Sequence, residues 1–341
     1  MTGNGAVLDE RLAAQFADRR VIVTGGLGFI GSNLARTLLD ARATVTLVDS
    51  LMPTHGGNHA NVAGIEGDLE IHELDVRNTK QLVKLVRGQD ILFNLAGQTS
   101  HLDSMVDPHT DLEINCDAQL ALLEACRSEA HELQIVFAST RQIYGRPQYL
   151  PVDERHPIDP VDVNGINKTV GEWYHLLYGR FHEMSVSVLR LTNTYGPRMR
   201  VRDARQTFLG LWIMRALLDE ELLVFGDGTQ QRDFTYVDDA VRALCLAATS
   251  PAALGEVFNV GGCGHQSLSE VAELVVRLAG SGSVRVVPFP ADRKAIDIGD
   301  YYADDTKLRT QLGWRPLCPL DDGLAATLDY YRANGLAYWS P

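Results

Sequence analysis

The 341-residue chain reads as an α/β protein, a doubly wound parallel sheet with a smaller C-terminal α/β lobe. Three observations predict this. Short β-rich runs alternate with helical stretches through the N-terminal half, a glycine triplet separates the first strand from the first helix, and an acidic residue closes the second strand. In order, "RVIVTGG" reads as a strand, "GSNLARTLLDA" as a helix and "TVTLVDS" as a strand. "QLVKLVRG" is a helix, "ILFNLAG" a strand, "INCDAQLALLEACRS" a helix and "QIVFAST" a strand. "NKTVGEWYHLLYGRFH" (helix) and "VSVLRLTNTYG" (strand) follow. Strands separated by helices imply βαβ units and a sheet covered on both faces. After Pro197 the rhythm changes. "RQTFLGLWIMRALLDEE" reads as one long helix, "VFGDGTQQRDFTYVDD" as a loop, and "SLSEVAELVVRLAG" as a further helix before "VRVVPFP".

Composition narrows the function classes. Apolar residues make up 45% of the chain, enough for a sizeable core, and the net charge of −13 argues against a nucleic-acid footprint. The five cysteines, Cys116, Cys126, Cys245, Cys263 and Cys318, show no CxxC pair and no metal spacing. They read as reduced thiols, with no metal expected. No apolar run reaches the length of a membrane span and no signal-peptide pattern opens the chain, so the expected location is cytoplasmic. Residues 1–19 read as a frayed tail or a short helix.

"VTGGLGFIGSN" places Gly25, Gly28 and Gly31 between a strand and a helix. The first glycine permits a tight turn, the second lets backbone approach a pyrophosphate, and the third lets the helix pack on the strand. The helix that opens at Phe29 and Ile30 offers its free N–H groups to an anion. Asp49, at the end of the next strand, suits an adenosine ribose 2′-OH and repels a 2′-phosphate, so NAD is expected over NADP. Asp75 and Val76 end the third strand, and Leu95, Ala96 and Gly97 the fourth; all are expected to line this Rossmann-like cofactor site.

From about Arg20 to Gly323 the chain resembles the extended short-chain dehydrogenase/reductase family, in particular its NAD-dependent nucleotide-sugar epimerases and dehydratases. The pieces that carry the resemblance are "TGGLGFIGSNL", "NLAGQTSHLDS", "FASTRQIYG", "NKTVGEWY", "LRLTNTYGPR", "VFGDGTQQRDFTYVDDA", "FNVGG" and "YYADDTKLRTQLGW". The resemblance implies that Lys168 bonds the nicotinamide ribose and Thr140 the sugar hydroxyl to be oxidised. It also implies a tyrosine one helical turn before the lysine, as the proton carrier. Asn164 stands there instead. An amide has no useful pKa, so Tyr144, His101, Arg141 or a water positioned by Asn164 is left to move the proton.

Family dehydratases carry an Asp-Glu pair directly after the threonine, and decarboxylases a Glu at the second of these places. Here Arg141 and Gln142 occupy them. Epimerisation, by transient oxidation at sugar C4, needs neither carboxylate. The alternatives are a dehydratase or decarboxylase, and a non-catalytic protein that binds NAD and a nucleotide sugar. By resemblance Asn193, Arg232 and Arg293 face the diphosphate of the nucleotide sugar, with His101, Arg141 and Gln142 nearer the sugar. Arg198, Arg200, Arg202 and Arg205 read mostly as a solvated lead-in to a helix. The implied division is 20–192 plus about 234–262 for NAD, and 193–233 with 263–330 for the nucleotide sugar. A homodimer paired through "INCDAQLALLEAC" and "VGEWYHLLYG" is expected, and no nucleic-acid or membrane partner.

Overall fold

The computed structural model describes residues 7–339. Twelve strands run in chain order: β1 (Arg20–Thr24), β2 (Thr44–Asp49), β3 (Leu69–Glu73), β4 (Ile91–Asn94), β5 (Gln134–Thr140), β6 (Val186–Leu191), β7 (Asn193–Tyr195), β8 (Glu221–Phe225), β9 (Gln231–Tyr236), β10 (Val257–Val260), β11 (His265–Ser267) and β12 (Ser283–Val287). Seven form one parallel sheet in the order β10-β6-β5-β4-β1-β2-β3. Chain order reverses direction between β1 and β4. In sheets of this kind the crevice at that switch, beyond the carboxyl ends of the strands, is where a ligand seats.

Both faces of the sheet are covered. In β1, Val21 and Val23 join one apolar layer and Ile22 the other, all fully buried. Near-continuous apolar runs such as this suit parallel strands with helices on each side. Two smaller sheets, β11-β9-β7 and β12-β8, stand over a separate apolar cluster that includes Leu209, Trp212, Ile213, Val271 and Leu328. The fold is therefore the expected doubly wound α/β class with a smaller α/β part.

Some expectations change in detail. The segment read as a loop after Val224 contains β9. Its turn residues Gly226 to Gly228 merely connect β8 to β9, and β9 lies between β11 and β7 with Arg232 to Thr235 buried. Before β1, Asp9 caps a short helix (Glu10–Ala13), and Leu8, Leu12 and Phe16 are buried in the core. Of the two readings of this segment, the short helix is the one found and the frayed tail is not; residues 1–6 lie outside the described part. The helix expected from Asn167 starts earlier, at Val163, and runs to His182. Asp162 is its N-cap, accepting from the Gly165 N–H at 2.7 Å, which satisfies one of the first-turn donors.

Candidate active site

A cavity of about 850 Å³ lies across the carboxyl ends of the central strands and reaches beneath the smaller sheets. That is at the large end of the roughly 300–1,000 Å³ range of small-molecule sites. At its β1–β2 end the walls are mostly backbone. Gly25 has φ +70°, and a Cβ on Gly31 would sit 2.2 Å from the Gly25 carbonyl oxygen. Both positions therefore require glycine, the first for its left-handed backbone and the second for helix-to-turn contact. The helix Phe29–Asp40 has Gly28 as N-cap and no side-chain cap. Its first N–H groups, from Phe29 and Ile30, open beside the cavity, the arrangement that binds a pyrophosphate.

Asp49 faces the same end. Its carboxylate accepts from the Leu27 N–H at 3.1 Å and the Leu51 N–H at 2.9 Å, which orient it, while burial raises its pKa. Asp75 and Val76 line the next part of the wall. Asp75 is held by the backbone N–H and guanidinium of Arg77, and Arg77 reaches on to Glu113 at 2.7 Å. Arg77 first of all holds the Asp75 carboxyl below its usual range. Leu95, Ala96 and Gly97 line the floor. A Cβ on Gly97 would come within 2.9 Å of Asn115 Oδ1 and 3.5 Å of Lys168 Nζ. These donors, glycines and the acid fit a dinucleotide.

The opposite wall is made of side chains. Lys168 Nζ donates to the Ala138 carbonyl at 2.7 Å and lies 4.4 Å from the centre of the Phe137 ring; burial lowers its pKa to about 8. Thr140, at the end of β5, borders the cavity and accepts from the Gln142 N–H at 3.2 Å. Asn164 borders it too, almost fully buried. Its Nδ2 donates to the Gln98 carbonyl at 2.7 Å and to Asp111 Oδ2 at 3.0 Å. Asp111 is fully buried and also accepts from Asn115 at 3.0 Å and Asn167 at 2.8 Å. Three amides therefore surround one carboxylate, a cluster that the sequence reading missed.

His101 lies on the same wall, with Nδ1 3.0 Å from Asp162 Oδ2. Gln142 borders the cavity and donates Nε2 to that same oxygen at 2.9 Å. Arg141 donates to Asn193 Oδ1 at 3.1 Å and stacks over the Tyr301 ring at 5.2 Å. Asn193 in turn donates to the Asp233 carbonyl at 2.9 Å. Arg232 is buried and donates to the carbonyls of Gln231 (2.9 Å) and Gly299 (2.5 Å). Burial, then the positive charge of Arg141, lower its pKa to about 10. Arg293 borders the cavity, with its guanidinium 5.3 Å from the Phe225 ring centre.

A model described as the NAD dependent epimerase/dehydratase family matches residues 21–261. The chain belongs to this family. Among its relatives, a putative UDP-glucose 4-epimerase of Methanocaldococcus jannaschii is 31% identical over 92% of this chain and 99% of its own length. A dTDP-glucose 4,6-dehydratase of Streptomyces niveus is 32% identical over 94% of this chain and 95% of its own. Among solved structures, the Thermus thermophilus UDP-glucose 4-epimerase in complex with NAD superposes with a TM-score of 0.82. It is 30% identical and covers 92% of this chain and 99% of its own. The cofactor of this epimerase/dehydratase family is NAD, and the β1–β2 end of the cavity is built for it. Epimerases and dehydratases lie at equal distance, so relatedness alone does not divide the two reactions.

One candidate for the family's proton carrier is removed by the structure. Tyr144 is fully buried and is not among the residues bordering the cavity. Its hydroxyl donates to Asn259 Oδ1 at 2.7 Å and accepts from Arg190 Nη1 at 2.6 Å. Burial raises its pKa far above the usual tyrosine value. The 3₁₀ turn Arg141–Tyr144 after Thr140 carries the ring inward, so closeness in sequence does not bring it to the site. The arginine lead-in also differs from its reading. Arg200 donates to the carbonyls of His55 (2.7 Å) and Pro53 (3.3 Å), and Arg202 to that of Pro53 (2.6 Å). These bonds tie the segment after β7 to the loop after β2, on either side of the cavity. Among the described residues no helix is long and apolar enough to cross a membrane.

Proposed function

We propose that the protein is an NAD-dependent nucleotide-sugar 4-epimerase. The observation that carries this reading is the pair beside Thr140. Arg141 and Gln142 are bound to Asn193 and Asp162, and neither can serve as the carboxyl acid or base that elimination of water or loss of CO₂ requires. When bound, NAD supplies reversible hydride acceptance. Lys168 would hold its ribose and Thr140 the sugar hydroxyl, both bordering the cavity. The two epimerases described above, both named for UDP-glucose, support the same class.

The anionic end of the substrate falls to Arg293 and Arg232. Arg293 has no protein hydrogen bond among the described residues, and Arg141 and Arg232 lie close enough for their charges to oppose each other. A diphosphate would relieve that repulsion through charge-assisted bonds. On this reading residues 20–192 with about 234–262 seat NAD, and 193–233 with 263–330 seat the nucleotide sugar. Ile166, Trp173, Leu177 and Phe181 leave an exposed apolar stripe on the helix Val163–His182, beside exposed Met105 and Val106. A second copy of the chain is the proposed cover, giving a homodimer. A cytoplasmic setting suits the cysteines, none of which is paired.

The reading is tested by incubating the protein and NAD with UDP-, dTDP-, GDP- and CDP-hexoses and the corresponding nucleotide hexuronates, and resolving products by NMR. A C4 epimer is expected. A 4-keto-6-deoxy sugar, or a pentose with CO₂, would replace it with a lyase.

A further inference from the structure

We infer that His101, oriented by Asp162, carries the substrate proton in place of the absent tyrosine. This rests on the epimerase reading above. The other candidates for this role that lie around Thr140 and Lys168 are disqualified by their bonds or their chemistry. Asn164 spends its amide donors on Gln98 and Asp111 and cannot accept a proton at neutral pH. Tyr144 is buried away from the cavity. Arg141 stays protonated. Lys168 holds the Ala138 carbonyl. His101 remains, bordering the same cavity as Thr140, Asn164 and Lys168.

Its two ring nitrogens have different surroundings. Nδ1 is buried and 3.0 Å from Asp162 Oδ2, though the line between them is too bent for a well-formed hydrogen bond. The side chain as a whole is 34% exposed, and no protein group bonds Nε2 among the described residues. Nε2 is thus the nitrogen available to a ligand. Asp162 has no exposed side-chain surface and is doubly fixed, by the Gly165 N–H and by Gln142 Nε2. Burial pushes its carboxyl up, but His101, Gly165 and Gln142 outweigh that and hold the pKa below the usual value. An anchored carboxylate at Nδ1 favours the tautomer with the proton on Nδ1 and the lone pair on Nε2. The anchor is also the N-cap of the helix that carries Asn164 and Lys168, so the base and the substrate-holding groups share one rigid element.

In the oxidising half of the reaction the sugar O–H proton passes to Nε2. Bound NAD would take up the C4 hydrogen with its electron pair as the C=O bond forms and would later return both to the other face of C4. In that returning half Nε2 gives its proton back to the oxygen. No further oxidant or reductant is consumed.

Two measurements test the dyad. In the first, ¹⁵N-histidine NMR of the full-length protein is compared with Asp162→Asn, a change that keeps an N-cap. The His101 signals should show Nδ1–H in wild type and lose that bias in the variant. An Nε2–H tautomer, or no response to the variant, overturns the inference. In the second, His101→Asn should slow nucleotide-sugar oxidation by about 10²–10⁴-fold without loss of nucleotide-sugar binding, and His101→Gly should regain rate with added imidazole. Undiminished rate in His101→Asn overturns the dyad and leaves the epimerase reading standing. A wild type that turns over no nucleotide sugar overturns the epimerase reading instead, and the tautomer measurement still decides the pairing.

Discussion

At the β1–β2 end of the cavity the ligand-facing groups are backbone amides, glycines and one carboxylate. At the β4–β5 end they are side chains tied to one another: Asn164 to Asp111, Gln142 and His101 to Asp162, Arg141 to Asn193. A wall made of backbone accepts little variation, because the glycine positions are set by contacts such as the 2.2 Å that a Gly31 Cβ would make. A wall made of mutually bonded side chains can change as a set. That is how Asn164 is accommodated. It is one of three amides that satisfy the buried Asp111.

The largest effect should come from the hub of the side-chain wall. Asp111→Ala strips the acceptor from three buried amides and removes the carboxylate that favours the charged form of Lys168. A loss of about 3–5 kcal/mol is expected in denaturant unfolding, as for breaking a buried charged network. A loss under about 1 kcal/mol, the scale of one ordinary hydrogen bond, would show that the wall is not a unit. Asn164→Tyr comes next. It leaves the Gln98 carbonyl and Asp111 short of a donor, for about 1–3 kcal/mol of stability. It should bring no gain in turnover, and a large gain would make Asn164 a lost tyrosine after all.

At the backbone end, Asp49→Ala should leave the fold intact and relax the preference for NAD over NADP. The change should be about 1.5–3 kcal/mol, the size of one hydrogen bond to a charged group, read by titrating the protein with each cofactor. Equal binding of the two by wild type would break the assignment. The smallest effect is expected for Tyr144→Phe, about 1–2 kcal/mol of stability from its bonds to Asn259 and Arg190. Turnover should be unchanged, since the ring does not border the cavity.

The same contrast explains what could be read from the chain. Gly25, Gly28, Gly31 and Asp49 serve a local turn and the end of the next strand, so spacing in sequence nearly equals spacing in the fold. Asp111 acts on Asn164 across a sequence separation of 53, and its segment "PHTDL" looks like any short polar helix. The pairing of His101 with Asp162 is likewise visible only once the helix His101–Val106 meets the start of Val163–His182, where the Asn164 N–H donates to Ser104 Oγ at 3.2 Å. Tyr144 misled for the opposite reason, since it neighbours Thr140 in sequence while a single tight turn faces it the other way. The six-residue strand β9 is hidden because the turn residues before it are more conspicuous than its own half-polar pattern "QRDFTY".

The bonds from Arg200 and Arg202 to Pro53 and His55 have a kinetic consequence. Together with Gly56, where a side chain would run into Gln206 (2.4 Å from its Cβ to Nε2), they join two surface loops across the adenosine end of the cleft. On the proposed assignment, a cofactor seated beneath that bridge leaves as the loops part, while the anionic end of the substrate, beside Arg293 and Phe289, can exchange on a separate clock. Such a division of residence times suits the proposed epimerase, whose cycle would restore its own oxidant before each product departs.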